Sequence, residues 1–273
     1  MHAARQSEVF DNAAPCRRRG PAANCAVHLA HLRLRDFRNY TRLDAEFGPG
    51  LHLLLGRNAQ GKTNILEAIH LLATLRSFRG VGSAPMVRHG AAGWFVGGRV
   101  IATGNNAVKL YWSRTERRLT VDDQPIRRLT DYWGTLRTVA FCAEDLALVK
   151  GAVRGRRRFL DFLLAQTVPT YLGVLQRYLR AMRARNALLK KRPVDEAALE
   201  SFTIELVKLG EELMAQRAAL LPELAPRIVA AHQRIAPKGE SLAVAYAPNV
   251  KGDFAEHLRR HREREYRLGS TAA

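Results

Sequence analysis

The eight residues Gly56-Arg57-Asn58-Ala59-Gln60-Gly61-Lys62-Thr63 constrain this chain more than any other stretch. They fit G-x-x-x-x-G-K-T without a mismatch. The apolar run Leu51-His52-Leu53-Leu54-Leu55 precedes them, and a segment follows in which Ile65, Leu66, Ile69 and Leu72 recur at helical spacing. A strand, a glycine loop and a helix in that order predict a phosphate-binding loop. Gly56 and Gly61 permit backbone angles that wrap the loop around an anion and turn its N–H groups inward. The helix starting near Lys62 brings its positive end to the same anion. Lys62 is expected to bridge the β- and γ-phosphates, and the Thr63 hydroxyl to take a place on Mg²⁺. The expected cofactors are therefore ATP and Mg²⁺, held by Gly56, Arg57, Asn58, Ala59, Gln60, Gly61, Lys62 and Thr63. A bare glycine-rich turn is the blander reading, and the complete motif in its proper setting speaks against it.

Hydrolysis asks for more: an acidic residue at the end of a second strand to hold Mg²⁺, and a group to position water. Thr138-Val139-Ala140-Phe141-Cys142-Ala143-Glu144-Asp145 is the one stretch with that outline. Its two acids read better as the start of a helix, where carboxylates suit the positive end. No catalytic residue is assigned.

Around this motif the pattern changes along the chain. Residues 1–26 show no period and read as a flexible lead. Val27–Leu34 alternates apolar and polar residues as a strand does, and a second strand is expected near Leu43–Phe47. Leu51–Leu55 and Thr138–Cys142 are expected as further strands. So are Trp94–Val96, Val108–Trp112 and Leu119–Val121, separated by turn residues. From about Arg156 the chain turns helical. Tyr171, Leu175, Tyr178 and Met182 step along one helix face, Pro193 interrupts, and Phe202, Leu206, Leu209 and Leu213 repeat the steps. Two long antiparallel helices are expected, their apolar stripes packed together. The expected divisions are an ATP-binding α/β lobe over 27–150, a helical arm lobe over 151–250, and over 251–273 the start of a return to the first lobe.

The charge balance narrows the partners. In 273 residues, 44 Lys+Arg oppose 25 Asp+Glu, a formal charge of +19, while 47% hydrophobic residues leave ample material for a core. Such a balance favours a polyanionic partner. Lys150 to Arg192 holds twelve of the basic residues against the single acid Asp161. A solvated helix face normally mixes both signs, so DNA-backbone contact is expected there, from Lys150, Arg154, Arg156, Arg157, Arg158, Arg183, Arg185, Lys190 and Lys191. No base-reading motif accompanies these residues, which predicts sequence-independent binding to single- and double-stranded DNA. The three cysteines form no C-x-x-C pair, which points to the cytoplasm. Dispersed histidines argue against a metal centre.

Several of these segments together resemble the RecF family of bacterial recombination-repair proteins, relatives of the SMC-type ATPase heads. The resemblance begins at Leu32-Arg33-Leu34-Arg35-Asp36-Phe37-Arg38-Asn39-Tyr40 and continues through the loop into Asn64-Ile65-Leu66-Glu67-Ala68-Ile69. It takes in Arg76-Ser77-Phe78-Arg79, the F-x-P-E-D-L-like stretch from Phe141 (with Ala143 in place of proline), Arg156–Asp161 and Tyr178–Lys190. The resemblance implies an α/β fold: a P-loop ABC-type, SMC-like ATPase head with a mostly helical second lobe or arm. It also implies ATP-driven homodimerisation on DNA at gaps and junctions, with RecR and RecO, to load RecA. It places the Mg²⁺-binding acid away from Glu144 and Asp145.

Two departures qualify the resemblance. Residues 1–26 have no counterpart in the family and are expected to be an added extension. Beyond Gly269 the family continues into G-P-H-R-D-D, a signature segment and an L-L-L-D-D strand, whereas this chain reads Ser270-Thr271-Ala272-Ala273. Turnover of ATP is accordingly not expected. The alternative reading is a truncated DNA- or nucleotide-binding fragment without independent activity. A small-molecule P-loop kinase is disfavoured, because no lid or acceptor pattern accompanies the loop.

Overall fold

The computed structural model describes residues 27–101, 105–236 and 239–272, so the lead over 1–26 lies outside the described residues. The described residues form two compact units, divided between Glu144 and Asp145.

In the first unit, strands β1 (His28–Phe37) and β2 (Tyr40–Glu46) form a hairpin. After helix α1 (Lys62–Thr74) come β3 (Gly93–Ile101), β4 (Asn105–Ser113), β5 (Arg117–Val121) and the two-residue β6 (Gln124–Pro125). The six strands make one antiparallel sheet in the order β2-β1-β3-β4-β5-β6. Alternation along the strands, broken by an irregularity at Leu29/His31, gives that sheet two unlike faces. Leu32, Leu34, Val96, Val108 and Leu110 point inward, where Ala68, Leu71 and Leu72 of α1 complete a single core. The approach is close enough that a Cβ on Gly98 would stand 2.7 Å from Leu72 Cδ1 and 2.8 Å from Leu29 Cδ1, so a larger residue there would have to displace both leucine side chains. Tyr132 is buried in the same core and donates its hydroxyl proton to the Leu72 carbonyl.

Two expected strands do not form. Leu51–Leu55 and Thr138–Cys142 have no ladder partner among the described residues. Leu51 is 99% exposed and Phe141 93%. Both runs have strand composition, but a strand exists only where a neighbour takes its N–H and C=O groups.

The second unit is helical: α2 (Ala147–Lys150), α3 (Val153–Thr167), α4 (Tyr171–Leu189), α5 (Glu196–Gln233), α6 (Phe254–Arg260) and α7 (Arg262–Leu268). Pro193 falls between α4 and α5. Arg185 meets Thr203 near that turn, while Tyr178 packs beside Gly210 further away, so the two helices run antiparallel. Pro222 and Pro226 lie inside α5, and each removes one backbone donor from the helix. Val250, Phe254 and Leu258 close over Ala181 and Leu206. His257 and His261 form an i, i+4 pair among the otherwise dispersed histidines, and their rings stack at 4.3 Å. His257 also reaches the Ala272 carbonyl and accepts, through its own carbonyl, from the His261 ring. Among the described residues no helix is long and apolar enough to cross a membrane.

Candidate nucleotide site and basic surface

Gly56–Thr63 runs into α1, which begins at Lys62 with Gly61 as its N-cap. Gly56 and Gly61 take φ of +145° and +101°, as their expected role requires, and Ala59 joins them at +65°. Glycine at 61 answers a second demand as well. A Cβ there would stand 2.7 Å from Asn39 Oδ1 and 2.8 Å from Tyr40 Cε2. The loop therefore rests directly on the β1–β2 turn. Asn39 holds it there: its amide donates to the Gln60 carbonyl at 3.2 Å, and its side-chain oxygen accepts from Asn64 at 2.8 Å.

Inside the loop the polar groups satisfy one another. Lys62 Nζ donates to the carbonyls of Gly56 (2.6 Å) and Arg57 (2.7 Å), and Gln60 Oε1 accepts from the Arg57 N–H at 3.1 Å. The Gln60 and Lys62 side chains both lie against the α-carbon of Gly56. Thr63 is exposed on the first turn of α1.

One turn further along, Glu67 is fully buried. Its carboxylate accepts from Arg38 Nε (2.9 Å) and Nη2 (2.6 Å), from Ser77 Oγ (2.5 Å) and from Arg79 Nη1 (3.3 Å). Arg79 also donates to Asn64 Oδ1 at 3.0 Å. A single carboxylate thus ties the β1–β2 turn and the 76–79 segment to the helix that carries Lys62. Reading the sequence by period alone does not find this cluster. Its one signal is an acid among the apolar positions of an amphipathic helix, which demands a buried cationic partner.

The expected DNA-contact residues lie in the second unit and do not behave alike. Lys150, Arg154, Arg156, Arg158, Arg183, Lys190 and Lys191 are exposed, and Arg157 is half-buried. Arg156 caps the end of α2 by donating to the Leu148 and Gly151 carbonyls. Arg185 has to be removed from the set. Its side chain has no solvent exposure, and its guanidinium pairs with Glu265 at 2.6 and 3.0 Å and donates to Thr203 and Thr271. It joins α4, α5 and α7, and its complete burial keeps it from a phosphate in solvent. The 1-in-3.6 register decides this: Arg185 shares the inward face of α4 with Ala181 and Leu189.

Asp161 sits on α3 as the only acid of the basic run. It accepts from Arg217 Nε (2.8 Å) and from the Tyr171 hydroxyl, and Arg217 Nη2 lies 2.7 Å from it. Burial, and then the neighbouring Asp161, push the Tyr171 phenol well above its ordinary value. Burial alone does the same to Tyr132. Among the described residues no group of three metal-ligating side chains occurs.

Comparison with known proteins agrees with these features. An AAA-domain family model matches residues 31–128, which span the loop, α1 and most of the sheet. "DNA replication and repair protein RecF" of Symbiobacterium thermophilum is 39% identical over 245 residues, 88% of this chain and 65% of that protein. RecF of Exiguobacterium sp. is 36% identical over 82% of this chain and 61% of its own length. RecF of Streptomyces avermitilis is 37% identical, at 83% and 64%. The chain thus spans under two thirds of the length of these relatives. Two solved structures, described as the recombination mediator protein RecF with ATPrS and with ATP in the RecFOR pathway, superpose with TM-scores of 0.82 and 0.84. They are 26% and 25% identical and cover 90% and 93% of this chain, which covers 71% and 72% of them. Sequence likeness through the glycine loop and a shared ATPase-head fold lead to one conclusion: the chain belongs to the RecF family.

Proposed function

We propose that the chain is the ATP- and DNA-binding portion of a RecF-type repair and replication factor. The observation that carries the reading is the complete G-x-x-x-x-G-K-T loop seated on the N-terminus of α1, in a chain whose relatives are RecF proteins. A Cβ at Gly56 would strike the Gln60 side chain and one at Gly61 would strike Asn39 and Tyr40, so both glycines are needed for the loop to keep its path. Lys62, held only by backbone carbonyls, is free to exchange them for phosphate oxygens. A Mg²⁺ ion bound with the nucleotide would take the Thr63 hydroxyl and neutralise charge between the phosphates. Asn39 and Glu67 act as positioning residues in this reading, because their hydrogen bonds hold the loop and α1 in place.

The second unit supplies the DNA contacts in this reading, through Lys150, Arg154, Arg156, Arg157, Arg158, Arg183, Lys190 and Lys191. Binding is sequence-independent and falls with salt. By analogy with the RecFOR context of its structural relatives, the whole protein works with RecR and RecO to place RecA at gaps, and pairs with a second copy when ATP is bound.

Calorimetric titration of ATP with Mg²⁺ into the 273-residue protein tests the core of this proposal. Saturable binding that disappears in Lys62→Ala, with the circular dichroism spectrum unchanged, is the expected result. Equal ATP binding by Lys62→Ala would overturn it.

A further inference from the structure

The outer face of the antiparallel sheet in the first unit carries chemistry that the nucleotide site does not use. Its strand register brings residues into rows across the sheet. One row runs Arg42–Arg35–Phe95–Tyr111–Arg118 over β2, β1, β3, β4 and β5. The next runs Asp44–Arg33–Gly97–Lys109–Thr120. A third runs Glu46–His31–Arg99–Ala107, its acid on the margin strand β2. On the central strands β1, β3 and β4 the outward positions include four cations and no acid.

The acids near this face stand at its margins. Asp44 on β2 lies within 4 Å of Arg33, Arg35, Arg42 and His31, so one carboxylate is shared among several cations. Burial raises the pKa of Asp44, but hydrogen bonds from Arg33 and Arg42 outweigh it and keep the group ionised below its usual range. Asp123 pairs with Lys109 and Glu116 with Arg118, both from turns. Arg99 has no carboxylate partner among the described residues. Arg35 and Arg42 stand directly opposite each other, and the Asp44 carboxylate that lies within 4 Å of both offsets their repulsion.

The face is also flat where its aromatic residues lie. A Cβ on Gly97 would stand 2.8 Å from Phe95 Cζ, so the Phe95 ring lies across the glycine. Tyr111 is the direct cross-strand neighbour of Phe95. A shallow depression of about 150 Å³ opens beside them, lined by His31, Arg33, Phe95, Gly97, Arg99 and Lys109.

We infer that this face is a binding platform for single-stranded DNA, with bases stacked on Phe95 and Tyr111 and phosphates met by Arg33, Arg35, Arg99 and Arg118. Four strands set about 4.8 Å apart place Arg35 and Arg118 on either side of two adjacent aromatic positions. That arrangement gives the backbone cations at both edges and the bases an apolar floor between them. Stacking needs unpaired bases, which sets this surface apart from one that only follows a duplex backbone. The inference shares with the proposed function the premise that the chain binds DNA. It assigns a second DNA-binding surface, independent of the basic helices in the other unit.

Fluorescence anisotropy with a labelled oligothymidine, over a series of salt concentrations, tests it. Phe95→Leu with Tyr111→Leu keeps apolar cover but removes the π faces, and is expected to weaken binding about fivefold or more. Arg35→Ser with Arg118→Ser is expected to lower the slope of log K against log salt by about 0.7 for each phosphate no longer neutralised. Thermal melting of each variant checks that it is folded. Wild-type binding and slope in both folded variants would overturn the platform, while loss of binding in an Arg183→Ser, Lys190→Ser variant would leave the proposed function standing. Equal weakening of a duplex oligonucleotide by the arginine changes, with the leucine changes silent, would also overturn the single-strand assignment. A wild-type chain that binds no DNA would sink both readings.

Discussion

Charges inside this chain act as fasteners, and the clearest case is Arg185 with Glu265, both without solvent exposure. Removing one member strands the other in a medium that cannot solvate it. Arg185→Ala is expected to lower stability by about 3–5 kcal/mol in urea unfolding, with little change in DNA affinity for the protein that remains folded. Arg183→Ala, on an exposed position of the same helix, is expected to do the reverse. Two buried phenols set an alkaline limit as well. Tyr132 and Tyr171 have pKa values raised in the folded state, chiefly by burial, so folding favours their neutral forms. Their contribution is fully present below about pH 10 and is lost as pH rises above that value, where the unfolded chain ionises first. Tracking phenolate absorbance together with helicity should show unfolding and ionisation rising in step above that pH. Ionisation complete before any loss of helicity would contradict the assignment.

Elements succeed or fail here according to whether they find a partner. The helix α5 crosses two prolines and persists because its earlier turns are locked against α4 and α6. Gly210 shows how tight that lock is. A Cβ there would overlap the Phe254 ring and stand 3.2 Å from Tyr178 Cε2. Gly210→Ala is therefore expected to cost about 1–3 kcal/mol despite alanine's better helix propensity, a sign that differential scanning calorimetry will read directly. Leu51–Leu55 is the opposite case. It is apolar enough for a buried strand, yet no neighbouring strand among the described residues accepts its backbone groups.

On the scale of the molecule, that run and Val139–Phe141 leave apolar side chains in water. Leu53 and Leu55 are 77% and 71% exposed, and Val139 is 90%. Contiguous apolar surface of this kind promotes association. Leu51→Ser, Leu53→Ser and Leu55→Ser together are expected to reduce light scattering and binding of a hydrophobic dye. The melting temperature should be unchanged, because these leucine side chains bury little against the rest of the chain. A lower melting temperature would show instead that they are packed.

The glycine loop, the helix after it, the alternating strands β1 to β5 and the long pair α4 and α5 were all legible in the residues. Each rests on a local rule: steric freedom at glycine, a period of 2 or 3.6, a break at proline. Pairing is not local. Whether Leu51–Leu55 becomes a strand depends on residues far away in the chain, and its own composition could not decide that. The charge count showed where cations cluster along the chain but not which of them face water. Arg185 lies in the densest basic run yet belongs to the core, while Arg35, Arg99 and Arg118, scattered over more than eighty positions, line up on one sheet face. Tertiary structure made that distinction, because strand register and helix phase, rather than distance along the chain, determine which side chains share a surface.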